Sequence, residues 1–395
     1  MTFSARVPGD LAPNRLSTAL ARLEQEQRPI IDLTASNPTR ADFLYPADLL
    51  APLGDPRGLV YTPSPLGLPE ARRAVAADFT RRGLAVAAER LALTASTSEA
   101  YSLLFKVLCE PGDEVLVPRP SYPLFEHLAR LDAVTAVPYD LEYHARWSVD
   151  LSSVDRAFGP KTRAVLLVSP NNPTGQFVSR SEIDSIATRC SQHDAAIISD
   201  EVFADYELTP GASANSGLLT RRTDVLGFTL GGLSKSIGLP QAKLAWIAMS
   251  GDEDRVREAS ARLELACDTY LSVSTPLQAA LPELLDRGST IRDQIQQRVS
   301  SNYRALTVQA AAVPACEVLH AEGGWSAVVR VPSLMSEDDL VLALLVDDGV
   351  LTHPGYFFDF RCESFLVLSL LAPAPAFVEG VSRVLGRFDR RDDRA

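Results

Sequence analysis

The pattern of apolar and polar positions changes character twice along the chain. The first ~60 residues read as irregular and rich in proline, as where Ile30 to Leu33 run into Asn37-Pro38. A helix is expected from Pro69, because Ala71, Val75 and Phe79 recur at helical spacing among arginines. From about Arg90, short apolar runs alternate with longer amphipathic stretches. The runs cover 91–94, 114–117, 134–137, 164–168, 195–199, 226–230 and 244–249. Several are apolar at nearly every position, as strands buried on both faces of a parallel sheet are. Between them lie helical stretches such as 181–193, with Ile183, Ile186 and Ala187 on one face. The expectation is an α/β unit built on a mainly parallel, seven-stranded sheet.

After about Leu281 the strands thin out. A long polar helix is expected over 291–311, strands over 325–331 and 365–370, and helices over 337–348 and 376–388. These make a second, smaller α+β domain. The division expected is a large domain over 60–280 and a discontinuous small domain over 1–59 and 281–395, the first part including an N-terminal arm. A chain of 395 residues has length enough for two cores.

Composition narrows the function classes. Hydrophobic residues make up 46% and charged residues 22%, an ordinary globular balance. No run reaches the ~18 apolar residues of a membrane span, and the N-terminus has no signal-peptide pattern. A formal net charge of −12 argues against nucleic-acid or anionic-membrane partners. The five cysteines and five histidines are scattered, without metal-ligand spacing. Reduced thiols in a cytoplasmic protein, with no metal, are the expectation.

Three segments carry chemistry. Gly232-Leu233-Ser234-Lys235-Ser236 puts a lysine in a glycine-flanked loop straight after an apolar strand. Lysine is costly to bury unless its pKa falls or it reacts, and a carbonyl cofactor removes that cost by forming an imine. Read alone, the lysine is better taken as a solvated surface residue. Ser169-Pro170-Asn171-Asn172-Pro173-Thr174-Gly175 follows a second strand, and Asp200-Glu201-Val202-Phe203 ends a third. Each alone is a turn or a helix cap. All three stand at carboxyl ends of strands, where open α/β sheets bind ligands. Ser96-Thr97-Ser98 adds hydroxyls and free amides at a helix start, an anion site that is also an ordinary N-cap.

On these segments the sequence resembles the class I/II aminotransferases of the pyridoxal-phosphate (PLP) fold-type I superfamily, from about Ile31 through the small domain. The resemblance implies PLP as cofactor, with Lys235 as its Schiff-base lysine and proton shuttle. It implies Asp200 on the pyridine nitrogen, Asn172 on the phenolic oxygen and Tyr122 stacked on the ring. Ser96, Thr97, Ser98, Ser234 and Lys243 would hold the phosphate. Tyr61 would reach the phosphate of a neighbouring subunit, which implies a homodimer.

Five places depart from the family pattern. Lys243 stands for the usual phosphate-binding arginine, and Gly232 for the usual serine three residues before Lys235. Phe203 stands for a tyrosine that donates to the phenolic oxygen, so the imine is expected to stay protonated to higher pH. Ser96-Thr97-Ser98 replaces a glycine-led phosphate loop. Val367, in Val367-Leu368-Ser369, stands where the family binds the substrate α-carboxylate with an arginine. Arg361 is the nearest candidate substitute, with a surface-loop reading against it. His353-Pro354-Gly355-Tyr356 resembles the loop that borders the substrate.

The expected function is transfer of an amino group from an amino acid or amine to a 2-oxo acid. A lyase or decarboxylase on the same scaffold is the enzymatic alternative, since fold alone does not choose the reaction. A non-catalytic PLP-binding regulatory protein is a more remote one.

Overall fold

A computed structural model describes residues 3–9, 11–362 and 364–389. The outermost parts of the expected small domain (1, 2, 390–395) lie outside the described residues, as does Glu363 in the Arg361 loop. The chain opens with helix α1 (Arg15–Gln25) and a two-residue strand β1 (Ile31–Asp32). The first sixty residues are therefore not wholly irregular. Leu16 and Leu23 are the buried pair of α1, and Asn14 caps it by accepting from Ser17 N. Ala19 and Leu20 complete its apolar stripe, at helical spacing with Leu16 and Leu23.

Helix α2 (Pro69–Arg81) buries Ala71, Val75 and Phe79, the three positions the spacing marked. Then comes the large sheet. Its strands are β2 (Leu91–Thr94), β3 (Glu114–Arg119), β4 (Thr135–Tyr143), β5 (Trp147–Val149), β6 (Thr162–Val168), β7 (Ala196–Asp200), β8 (Gly227–Gly232) and β9 (Ala245–Ser250). Their spatial order is β2-β9-β8-β7-β6-β3-β4-β5. The seven apolar runs are all strands of this sheet. The eighth, β5, was not among them; it folds back antiparallel on the outer half of β4 through a tight turn. Three residues alternating Trp-Ser-Val are too short for a periodic signal.

The pairs β4–β3, β3–β6, β6–β7 and β7–β8 are parallel, while β9 runs antiparallel to both β8 and β2. Every residue of β7, β8 and β9 is buried, as a sheet covered on both faces requires. Two consequences follow for the site. The carboxyl ends of β2, β3, β6, β7 and β8 open on one edge, and β9 enters from that same edge.

The smaller unit holds β10 (Glu317–Val318), β11 (Ser326–Arg330), β12 (Val350–Leu351), β13 (His353–Pro354) and β14 (Phe365–Ser369). Four of them form an antiparallel sheet in the order β10-β11-β14-β13. The N-terminal segment joins this unit: β1 pairs in parallel with β12. The helices Ser289–Ala310, Glu337–Val346 and Ala374–Asp389 stand where the periodicity put them. Two further helices, Glu253–Tyr270 and Thr275–Arg287, link the units, and the second runs across position 280. Among the described residues no helix is long and apolar enough to cross a membrane, and no cluster of acids, histidines and cysteines could hold a metal ion.

Candidate active site

A cavity of about 480 Å³ lies between the open edge of the large sheet and the small unit. Ser96, Thr97, Ser98, Tyr122, Asn172, Asp200, Phe203, Ser234, Lys235 and Lys243 all line it. The topology explains the convergence. Ser96–Ser98 follow β2, Tyr122 follows β3, Asn172 follows β6, Asp200 ends β7, and Ser234 and Lys235 follow β8. Lys243 immediately precedes β9. Of the residues expected to hold the coenzyme, Tyr61 lies elsewhere. It is 75% exposed, on a separate surface depression with Leu59 and Val60, themselves exposed.

The chemistry at the floor of the cavity is set by burial. Lys235 is nearly enclosed, and loss of hydration pushes its pKa down to about 8; the charge of Asp200 opposes that shift. Its Nζ stands 4.8 Å from the Trp325 ring centroid and 5.5 Å from that of Phe203, so aromatic faces stand where water would. Asp200 is pushed up to about 6 by the same desolvation. Two hydrogen bonds hold it back: Val202 N donates to Oδ1 at 3.1 Å and Tyr101 Oη donates to Oδ2 at 3.0 Å. A buried acid and a buried amine therefore share one water-poor space.

Tyr101 was not legible as a site residue. It sits in the middle of helix α3 (Thr97–Leu108) among leucines, and reads as core. Trp325 and Ser326 were read only as the start of a strand. Ser326 Oγ lies 3.2 Å from Asn172 Oδ1, so it ties the small unit to the loop after β6.

Toward its other end the lining turns cationic and donor-rich. Ser96 caps α3 by accepting from Glu99 N. The Thr97 and Ser98 amides lie in the first turn, where the helix has no carbonyl to offer them. An anion there gains from the helix dipole. Lys243 has a φ of 53°, in the left-handed region, at a cost of about 1 kcal/mol for a non-glycine residue. It has no ion-pair partner among the described residues. Such strain recurs where a side chain is aimed at a ligand.

The small-unit wall is different in kind. Trp325, His353, Phe357, Phe358, Val367 and Leu371 dominate it. Arg361 does not reach the cavity: it is exposed and pairs with Asp140 at 2.6 Å. The surface-loop reading of that arginine is the one the structure supports, because Asp140 at the end of the β3–β4 register already holds it. Val367 is 2% exposed.

An amine of lowered pKa beside a buried acid, with an anion-binding helix start at the far end, defines an enzyme of amino-group chemistry built around a phosphorylated carbonyl cofactor. The family described as aminotransferase class I and II matches residues 28–374. The chain belongs to that family, whose members are pyridoxal-phosphate-dependent transaminases. It is 29% identical over 277 residues to the glutamate-pyruvate aminotransferase AlaA of Escherichia coli, covering 69% of this chain and 68% of that protein. It is 27% identical to the alanine aminotransferase of Mycobacterium bovis over 93% of this chain and 87% of the other. The solved alanine aminotransferase of Pyrococcus furiosus superposes with a TM-score of 0.87 at 23% identity, over 99% of this chain and all of the other. At that identity the superposition bears on the fold. The lining fits the family's coenzyme: a desolvated amine for its aldehyde, a buried acid for its ring nitrogen, and free amides with Lys243 for its phosphate.

Proposed function

We propose that this enzyme moves the amino group of an amino acid to a 2-oxo acid, with Lys235 as the covalent anchor and proton carrier. The observation that carries this is the pairing of Lys235 and Asp200 in one enclosed space at the sheet edge. The relatives' names support the substrate classes. When bound, PLP supplies an aldehyde that joins to an amine and a ring that accepts electrons from a broken substrate bond.

The residues divide the rest of the work. Lys235 Nζ has a proton affinity low enough to be unprotonated for part of its time near neutral pH, and so accepts and returns a proton at the substrate carbon. Asp200, carrying its charge toward a ring nitrogen, keeps that nitrogen cationic; Tyr101 fixes the carboxylate's orientation. Asn172 Nδ2 is left as a donor while its Oδ1 is engaged by Ser326. Tyr122, beside Phe125 in an edge-on contact at 5.9 Å, offers a face for stacking. Phe203 offers no hydroxyl. Ser96, Thr97, Ser98, Ser234 and Lys243 hold the phosphate. Trp325 and Phe203 keep water from Nζ.

The coenzyme would be shared across a homodimer, with Tyr61 reaching the partner's phosphate. Its exposure alongside Leu59, Val60 and Tyr270 supports a buried contact there. The two-domain division at 60 and 281 is supported by separate sheets. A cytoplasmic place is supported by cysteines that form no disulfide among the described residues. Lys235→Ala tests the assignment: turnover and the visible band of bound coenzyme should both vanish. Persistence of either overturns it.

A further inference from the structure

The coenzyme reading uses both lysines of the cavity. Among the described lining residues, one further group can become a cation, His353. Its place is specific. In the β13–β14 register His353 stands opposite Val367, so the two side chains leave the sheet on the same face, roughly 5 Å apart at Cβ. Val367 is the position at which a carboxylate-binding arginine was expected, and an aliphatic side chain cannot do that work. The imidazole sits between Phe357 and Phe358, at centroid distances of 5.7 and 5.9 Å. It has no hydrogen bond to a described residue. The ring is half-buried and lines the cavity with its nitrogens free of protein partners among the described residues, so a ligand in the cavity can take them.

We propose that His353 receives the α-carboxylate of the substrate, so that an imidazolium on β13 does what a guanidinium on β14 would otherwise do. This rests on the coenzyme reading above. Burial lowers the imidazole's proton affinity, and the nearby charge of Asp32 only partly restores it. Without a ligand the ring is biased toward its neutral form, and a bound carboxylate favours the protonated one.

The other charged groups around the ring are accounted for. Strand β14 contributes none. Asp32 beside β1 accepts from Thr34 N and Oγ1. From the helix Glu337–Val346, Glu337 accepts from the amides of Tyr356 and Phe365, and Asp338 and Asp339 pair with Arg15. The turn Gly355–Phe358 brings Tyr356, and Asp359 follows it. Across the cavity stand Asp200, Lys235 and Lys243.

Two probes separate the carboxylate from everything else. 2-Methylalanine and isopropylamine share an amine on a branched carbon, and only the first has a carboxylate. Neither has to turn over, since binding is read from the visible band of the holoenzyme. Ionisation of the amine, of the coenzyme link and of Asp200 affects both probes alike, so the ratio of their affinities isolates the carboxylate. That ratio should fall about tenfold per pH unit above the pKa of the free imidazole. His353→Gln should abolish the slope and weaken 2-methylalanine about tenfold or more near pH 6. Isopropylamine binding and the visible band should not change. If that variant does not fold, the wild-type ratio alone decides.

A flat wild-type ratio, or a slope that survives in His353→Gln, overturns the carboxylate site. In that case a normal visible band leaves the coenzyme reading standing. A wild type without the band overturns both.

Discussion

The two walls of the cavity were built by different means. On the large-sheet wall most polar groups stand at the end of a strand, within four residues beyond it, or just before one, Tyr101 within α3 being the exception. On the small-unit wall the lining comes from the N-terminal segment, the start of β11, a two-residue strand, a turn and β14. The first wall carries charge and hydrogen-bond donors; the second is mostly aromatic, with one imidazole. On the proposed reading the first surface holds the coenzyme and the second meets the substrate, and only the first is tied to the sheet that organises the fold.

Variants should respect that division, from large effects to small. Asp200→Asn on the coenzyme wall should lower kcat by at least about a hundredfold, since the ring nitrogen loses the charge that keeps it protonated. Steady-state kinetics checks this, with coenzyme content measured in parallel. Lys243→Met should weaken coenzyme binding about tenfold or more, the size of a lost charge-assisted contact, and Lys243→Arg should restore it. Equilibrium dialysis against PLP measures both. Phe203→Tyr adds a phenol donor at the same wall. The pH midpoint of the visible band should drop by about one unit, with KM for amino acids unchanged. A substitution on the other wall, such as Phe357→Leu, should shift KM and leave that midpoint where it was.

The smallest effect concerns the coenzyme-free protein. Asp200 has a folded pKa of about 6 against an ordinary 3.8. The folded state therefore holds its proton more tightly. That contribution is fully present below about pH 3.8 and is lost as pH rises through about 6, with a slope of at most about 1.4 kcal/mol per pH unit. Denaturant unfolding of the apo wild type against apo Asp200→Asn, between pH 4 and 7, should show the wild type losing stability relative to the variant as pH rises, with no further loss well above pH 6.

The same contrast explains what the sequence could tell. Strands buried on both faces read as unbroken apolar runs, so the residues just past their ends, Asn172, Asp200 and Lys235, stood out. Lysine is also scarce here, with four among 38 basic residues, and two of the four line the cavity. Tyr101 was hidden because its hydroxyl acts from within an apolar helix whose pattern says core. Trp325 was hidden because nothing in a linear pattern sets an indole against Nζ; His353 was legible as part of a loop bordering the substrate, but not its place opposite β14. The gap at Val367 was visible in the sequence. What stands beside it depends on register, which only the folded sheet supplies. Strand β5 was missed for a simpler reason: three residues are too few for a period to show.

The central claim is that Lys235 forms the covalent link to the coenzyme. Borohydride reduction of the holoenzyme, followed by peptide mass mapping, tests it with few alternatives, since the other lysines are Lys106, Lys161 and Lys243. The account predicts one reduced pyridoxyl adduct, on the peptide carrying Lys235. An adduct on another lysine, or none on a protein that remains coloured, would contradict it.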